Sequence, residues 1–508
     1  MMLNKGLTKK LIRGISSLYM HISLFAALSA AIITIFILFY PPMPGVADQG
    51  DFQRVMTVTG LESINNSDAH WFKYVITEYK ITHLNLSRLI GITPTTSTTS
   101  MIYPITLARI VCQVTGMEYF NTRFLAFIYA LAYIASLYMC IRCLKFKRIT
   151  TGIFFILTSI FILFDGNYII WFNSLYGEPM MIVGLLLLIA SVLNVSNYLY
   201  TKPCSGILFI FIASILFLGA KMQCFVALPF IILLIVRIAS LQNRTINSIK
   251  IAIPMAISIL TLTFYVSGIY LQINSTCGVD TKYNSVFYGI LKSSLTPKKD
   301  LAVLGLPPDM AVESGKHAYL SKDKYIKYVP GSDLTKKEFN TKVSNLKLLQ
   351  FYLLQPERLI KGMKYTAAQS FDTRGFLGKY EKSAVKEYTF TFNRFTLWSD
   401  FRSSMLPKKI FFLTSFYFLV ILISIIEYVK RKDNKEDCLH IELLWLIIVI
   451  GLLQFPMPYI GNGEADTSKQ LFLFNYTFDL TFLVSCTWIF DKLHIQIITF
   501  IKGRLLKQ

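Results

Sequence analysis

Apolar runs long enough to cross a hydrocarbon core of about 30 Å recur from one end of the sequence to the other, and this repetition limits the chain to a membrane-spanning helical fold. The first runs from His21 to Tyr40 and ends at Pro41-Pro42. It is too long for a signal peptide and lacks a small-residue cleavage site. Further runs fall near Phe120–Leu144, Thr151–Phe164, Met180–Leu199, Gly206–Gly219, Cys224–Ser240, Ile251–Tyr270, Ile410–Tyr428, Leu443–Phe455 and Phe472–Phe490. The expected fold class is an all-α polytopic membrane protein with about ten transmembrane helices. Only 16% of the 508 residues are charged, against about 25% in ordinary soluble domains.

Charge placement sets the expected orientation. Lys5, Lys9, Lys10 and Arg13 precede the first span, and Lys145, Lys147, Arg148, Lys202, Arg237, Arg244, Lys250 and Lys430-Arg431-Lys432 fill the alternate turns. Lys502, Arg504 and Lys507 close the chain. This positive-inside pattern predicts a multi-pass protein of the cell membrane with both termini cytoplasmic. It also accounts for the net charge of +22 without nucleic acid, because a nucleic-acid binder gathers its basic residues on one solvated face. Three regions follow: an N-terminal transmembrane region over 1–270, with a first outer loop over 41–118; a large extracytoplasmic loop domain over 271–407; and a C-terminal transmembrane region over 408–508. The first loop holds a short amphipathic segment near Met101–Val114, and Thr93–Ser100 reads as a loop. Pro356-Glu357 opens a helix through Arg358–Ser370, with proline and an acid suited to a first turn.

The eight cysteines lie mostly in or against apolar runs, where a thiol packs as a small hydrophobe. Cys140 and Cys143 have no second pair or histidine beside them, so packing is the expected role. No disulfide framework is visible, since the large loop has Cys277 alone.

Polar chemistry gathers in four outer turns. Asp48-Gln49-Gly50-Asp51-Phe52-Gln53-Arg54 follows the first span, and its two carboxylates can converge on one polar site, to accept a proton or to help hold a divalent metal. A solvated loop with incidental acids is the plainer alternative. Asn173, Tyr176 and Glu178 lie in the second turn, where Glu178 also suits the first turn of a helix and Asp165 suits an interfacial cap. Lys221 and Gln223 sit at a tight turn, either as a snorkelling lysine and its neighbour or as a phosphate contact. Asp466 and Lys469 occupy the last outer loop. No recognisable metal-ligand spacing appears, so no metal site is assigned and a divalent metal stays open as a cofactor.

The stretches Asp48–Arg54, Phe172–Pro179, Lys221–Gln223, Tyr283–Leu291 with Lys299–Pro307, and Asp466–Asp479 together resemble the GT-C class of polyprenyl-phosphate-dependent membrane glycosyltransferases. More narrowly, they resemble the WsfD-type hexose transferases of bacterial surface-glycan biosynthesis. The resemblance implies transfer of a hexose from a polyprenyl-phosphate sugar donor to a glycan or glycolipid acceptor on the extracytoplasmic face, among membrane lipid. It implies that a first-loop aspartate is the general base, Asp51 matching best and Asp48 being the alternative, because Gln49 and Gly50 separate what the class has as an adjacent pair. Glu178 matches a second acid of the class. Lys221, Lys469 and Arg54 are the implied cations for the departing phosphate, and Asn173, Tyr176, Gln223 and Asp466 complete the implied substrate contacts. A flippase, transporter or polymerase of lipid-linked glycans is the competing reading. A transporter is expected to keep its charges near the bilayer midplane, whereas the acids here lie in the outer turns.

Overall fold

A computed structural model describes the chain except residues 1–2, 65–71, 85–98, 198–202, 243–247, 277 and 506–508. Most of Thr93–Ser100 and Cys277 therefore lie outside the described residues. Among the described residues, eight helices are long and apolar enough to cross a membrane: Met20–Leu38, Thr122–Cys143, Glu178–Asn197, Met222–Gln242, Ala252–Gln272, Ile410–Lys430, Lys435–Asn462 and Phe472–Thr499. A ninth forms if Ile149–Leu163 and Gly166–Phe172 count as one span bent by 52°. The remaining expected span, at Gly206–Leu218, is an apolar helix of shorter reach. This is an all-α, multi-pass membrane protein.

The bend follows from local chemistry. Asp165 interrupts the apolar run, and its carboxylate accepts hydrogen bonds from the Asn167 amide (2.9 Å) and the Ser399 amide (2.9 Å). One carboxylate thus caps the second half of the span and ties it to the first turn of the Leu397–Met405 helix. Gly166 donates its amide to the Phe395 carbonyl (2.8 Å), and a Cβ at this position would lie 2.0 Å from the Arg394 carbonyl oxygen. Close by, Arg402 and Asp479 form a fully buried ion pair that Tyr168 and the Trp398 indole also join. A buried pair of this kind needs such extra hydrogen bonds to offset desolvation.

The Glu178–Asn197 helix is the axis of the bundle and is 89% buried along its apolar stretch, whereas Ala252–Gln272 and Ile410–Lys430 are only 22% buried and lie on the outside of the bundle. Around the axis pack Thr122–Cys143, Pro203–Leu218, Lys435–Gln454 and Phe472–Leu505. Cys140 and Cys143 are buried in this packing as free thiols, as are Cys112, Cys224 and Cys438.

The two ends of the bundle differ. At one end the turns are bound by ion pairs: Lys145–Glu436 (3.1 Å), Arg148–Asp491 (2.6 Å), Arg237–Glu442 (3.0 Å), Arg431–Glu427 (2.9 Å) and Lys492–Glu427 (3.1 Å). At the other end the long loops fold over the helices. In and just after the first loop, β1 (Leu61–Ser63), β2 (Glu78–Ile81) and β3 (Tyr119–Asn121) form an antiparallel sheet in the order β1-β2-β3, with Leu61 facing Ile81 and Tyr79 facing Phe120. These strands are too short to give an alternating pattern, so sequence reading passes over them. Ile102–Val114 is helical, burying Ile105, Ala108 and Cys112 while Tyr103, Leu107, Ile110 and Val114 stay exposed.

The large loop packs its own core, in which Tyr283, Phe287, Leu301, Tyr328, Phe339 and Tyr352 gather with Tyr459 of the turn before the last span. Pro356–Ala368 is a helix with proline in its first turn, and it packs on this core and on the Ile410–Lys430 helix.

Candidate functional site

The site forms where four turns from distant parts of the chain meet. Asp48 builds the first. Its Oδ1 accepts the amides of Gly50 (2.7 Å), Asp51 (2.9 Å) and Phe52 (3.3 Å), which folds the loop tightly and starts the Gln53–Thr59 helix. The segment Gly378–Tyr380 braces this loop from behind: Gly45 donates to Lys379 O (2.9 Å), Ala47 to Gly378 O (3.0 Å) and Val75 to Tyr380 O (3.0 Å).

Asp51 then projects between two cations. Its carboxylate pairs with Arg54 on one oxygen and with Lys469 Nζ on the other (2.8 Å). Lys469 also lies 4.2 Å from the centroid of the Tyr176 ring, a cation–π contact. Tyr176 accepts the Gln49 amide (2.9 Å) and donates to the Ala47 carbonyl (3.0 Å), with Phe52 and Trp171 packed edge-on against its ring. Beside them Glu178, at the head of the axial helix, binds Lys221 Nζ (2.6 Å). Asp466, in a left-handed backbone conformation, accepts Gln49 Nε2 (3.2 Å). Gln223 joins the turns through Gln470 O (3.4 Å) and through its own carbonyl, which accepts Gln454 Nε2 (2.9 Å).

The candidates therefore separate by position. Asp51, Arg54, Glu178, Lys221, Asp466 and Lys469 form one charged cluster. Asp48, Tyr176 and Gln223 hold its frame. Asn173 stands apart: its amide donates to Pro44 O (2.7 Å) and accepts from Thr122, so both ends of the side chain serve to staple loop to helix. Expected as a substrate contact, it is buried as a brace.

Electrostatics divide the acids. Burial pushes Asp51 up, but Lys469, Arg54 and Lys221 outweigh it and hold the carboxyl well below the usual range. Burial dominates for Asp48, against the three amides, and for Asp466, against Lys469 and Gln49, so both are raised. Lys469 is pushed down by burial and lifted further by Asp51, Tyr176 and Asp466, so it stays charged. Glu178 Oε2, Asp466 Oδ1 and Thr467 Oγ1 are buried without a hydrogen-bond partner among the described residues. Such atoms suit the hydroxyls of a polar ligand. Among the described residues no group of three or more His, Cys, Asp or Glu side chains is arranged to hold a metal ion, and the pocket's positive charge comes from Lys221, Lys469 and Arg54.

Sequence reading missed Gln49 as the link between the first and last outer turns, and Lys379, buried near Trp171 with its Nζ on Arg374 O (2.7 Å). A lysine in a basic loop gives no signal that it will be buried.

Fold and site together define a polytopic helical membrane protein with a charged pocket at one end of its bundle. By its match over residues 6–505, the chain belongs to the family described as the YfdI N-terminal transmembrane domain. No curated protein and no solved structure matches it.

Proposed function

We propose that this protein is a membrane glycosyltransferase that moves a hexose from a polyprenyl-phosphate donor to a glycan or glycolipid acceptor at the extracytoplasmic face of a bacterial cell membrane. The observation that carries this reading is Asp51 held between Lys469 and Arg54, with Glu178–Lys221 alongside. A partly exposed carboxylate (28%) stands next to cations, as transfer from a sugar phosphate requires. The likeness of these turns to the GT-C class, and to WsfD-type hexose transferases within it, supports the same reading. The basic, ion-paired turns at the opposite end support an extracytoplasmic pocket.

In this mechanism the donor's phosphate draws Lys469, Lys221 and Arg54 to its oxygens. Asp51 loses the charges that depress its basicity and faces the acceptor hydroxyl. The acceptor oxygen attacks the anomeric carbon, its proton passes to Asp51, and the carbon–oxygen bond to the phosphate breaks. The bond's electron pair leaves on polyprenyl phosphate, whose developing charge the lysines stabilise. Glu178 Oε2 and Asp466 Oδ1 accept hydroxyls of the transferred sugar.

The test is transfer of radiolabelled hexose from a polyprenyl-phosphate donor by the Asp51→Asn variant in native membranes. Loss of about 10²–10⁴-fold with normal membrane insertion is expected, and full activity would remove Asp51 as base. In a deletion strain, surface glycan missing one hexose supports the transferase, whereas stalled, complete lipid-linked glycan supports a flippase.

A further inference from the structure

A row of aromatic rings lies along the large loop beside the pocket. Tyr288 and His317 lie 5.2 Å apart between centroids at 77°, and His317 and Tyr319 lie 5.8 Å apart at 47°. Tyr319 ends the row with 57% of its surface exposed. Burial pushes its hydroxyl up to about 12, and the carboxylates of Asp466, Asp280 and Asp51 lie near enough to add to the shift. Lys292 Nζ covers the Tyr288 ring at 4.0 Å and pairs with Glu464, two positions before Asp466.

The row is fixed rigidly to the charged cluster. Asn284, fully buried, donates to Asn462 Oδ1 (2.8 Å) and accepts the Ala318 amide (2.6 Å). It opens a π-helical stretch, Asn284–Ile290, which turns Phe287 into the loop core and leaves Tyr288 half-buried on the row. Gly463 passes so close that a Cβ there would lie 2.5 Å from the Asn284 carbonyl oxygen, and its φ of +60° favours glycine. Tyr365 donates to the Glu464 carbonyl (3.1 Å) from the other side. The last outer turn thus carries Asp466 and Lys469 on one face and anchors the aromatic row on the other.

We infer that the Tyr288–His317–Tyr319 row is the acceptor subsite, and that it takes a pyranose ring of a glycan, stacked on Tyr319 with its hydroxyls toward Lys292, Glu464 and His317. This rests on the glycosyltransferase reading of the pocket. A pyranose has a C–H face that packs on an aromatic ring and a rim of hydroxyls that suits charged and imidazole groups. A purely lipid acceptor would leave Lys292 and Glu464 facing hydrocarbon at a desolvation cost.

The full chain in lipid nanodiscs, a radiolabelled polyprenyl-phosphate hexose and glycan prepared from the deletion strain provide the test. In Tyr319→Ala the acceptor KM rises roughly threefold to tenfold, the scale of one lost aromatic stack, while the donor KM holds. Tyr319→Phe keeps the ring and keeps the acceptor KM near wild type, and His317→Ala raises it independently. An unchanged acceptor KM in both alanine variants, or a shift confined to the donor KM, overturns the subsite and leaves the transferase intact. Absence of transfer by the wild-type protein with this glycan and donor overturns both.

Discussion

Asp51 and Asp48 differ in what they hold, and a conservative change separates their roles. The Asp48 turn needs only an oxygen to accept three amides. Asp48→Asn therefore keeps the turn and, with Asp51 as base, keeps hexose transfer within a few-fold, whereas Asp48→Ala loses both through the lost cap, worth about 0.5–2 kcal/mol. An Asp48→Asn variant as inactive as Asp51→Asn would move the base to Asp48. Lys379 offers a test by pH. Burial brings its ammonium down to about 7, only weakly opposed by Asp372. A lysine whose folded value is depressed penalises the native state where it is protonated, so stability rises as pH climbs from about 7 toward the unfolded value near 10.4. The thermal midpoint of detergent-solubilised protein should climb between pH 7 and 9, with a component that Lys379→Met removes. A parallel climb in the variant would show that Lys379 is not its source.

At the scale of elements, the bent span and the loop segment laid against it are one unit. Gly166→Val drives a side chain into the Arg394 carbonyl and the Phe392 ring, at a cost of about 1–3 kcal/mol for overpacking. The expected result is a lower thermal midpoint with faster proteolysis around 392–400, and an unchanged midpoint would mean that this contact yields freely. The sequence made some of this legible and hid the rest for physical reasons. Span cores, the proline-led Pro356–Ala368 helix and the cap at Asp165 are local signals, read from composition and spacing. Glu178 and Lys221 could be picked out because each borders an apolar run. The partnership of Asp51 with Lys469 spans 418 positions, and no local pattern encodes it. Tyr319 and Asn284 sit in a loop without periodicity, so their place beside the pocket emerges only from the packed loop core.

For the whole molecule, the clustering of Asp51, Glu178, Lys221 and Lys469 at one end requires the spans between them to alternate direction. Gln53→Cys, at the pocket end, should react with a membrane-impermeant maleimide in intact cells. Asp433→Cys, at the ion-paired end, should react only after lysis. The reverse labelling would invert the protein and move the pocket to the cytoplasm. Because the first outer turn supplies the carboxylate and the last supplies its lysine, the order of synthesis matters. A nascent polypeptide that has inserted most of its spans already displays Asp51, yet lacks the ammonium group that faces it. Competence should therefore arrive late in biogenesis and all at once, when the final hairpin enters the bilayer, and fragments truncated before that hairpin should lodge in the membrane as inert protein.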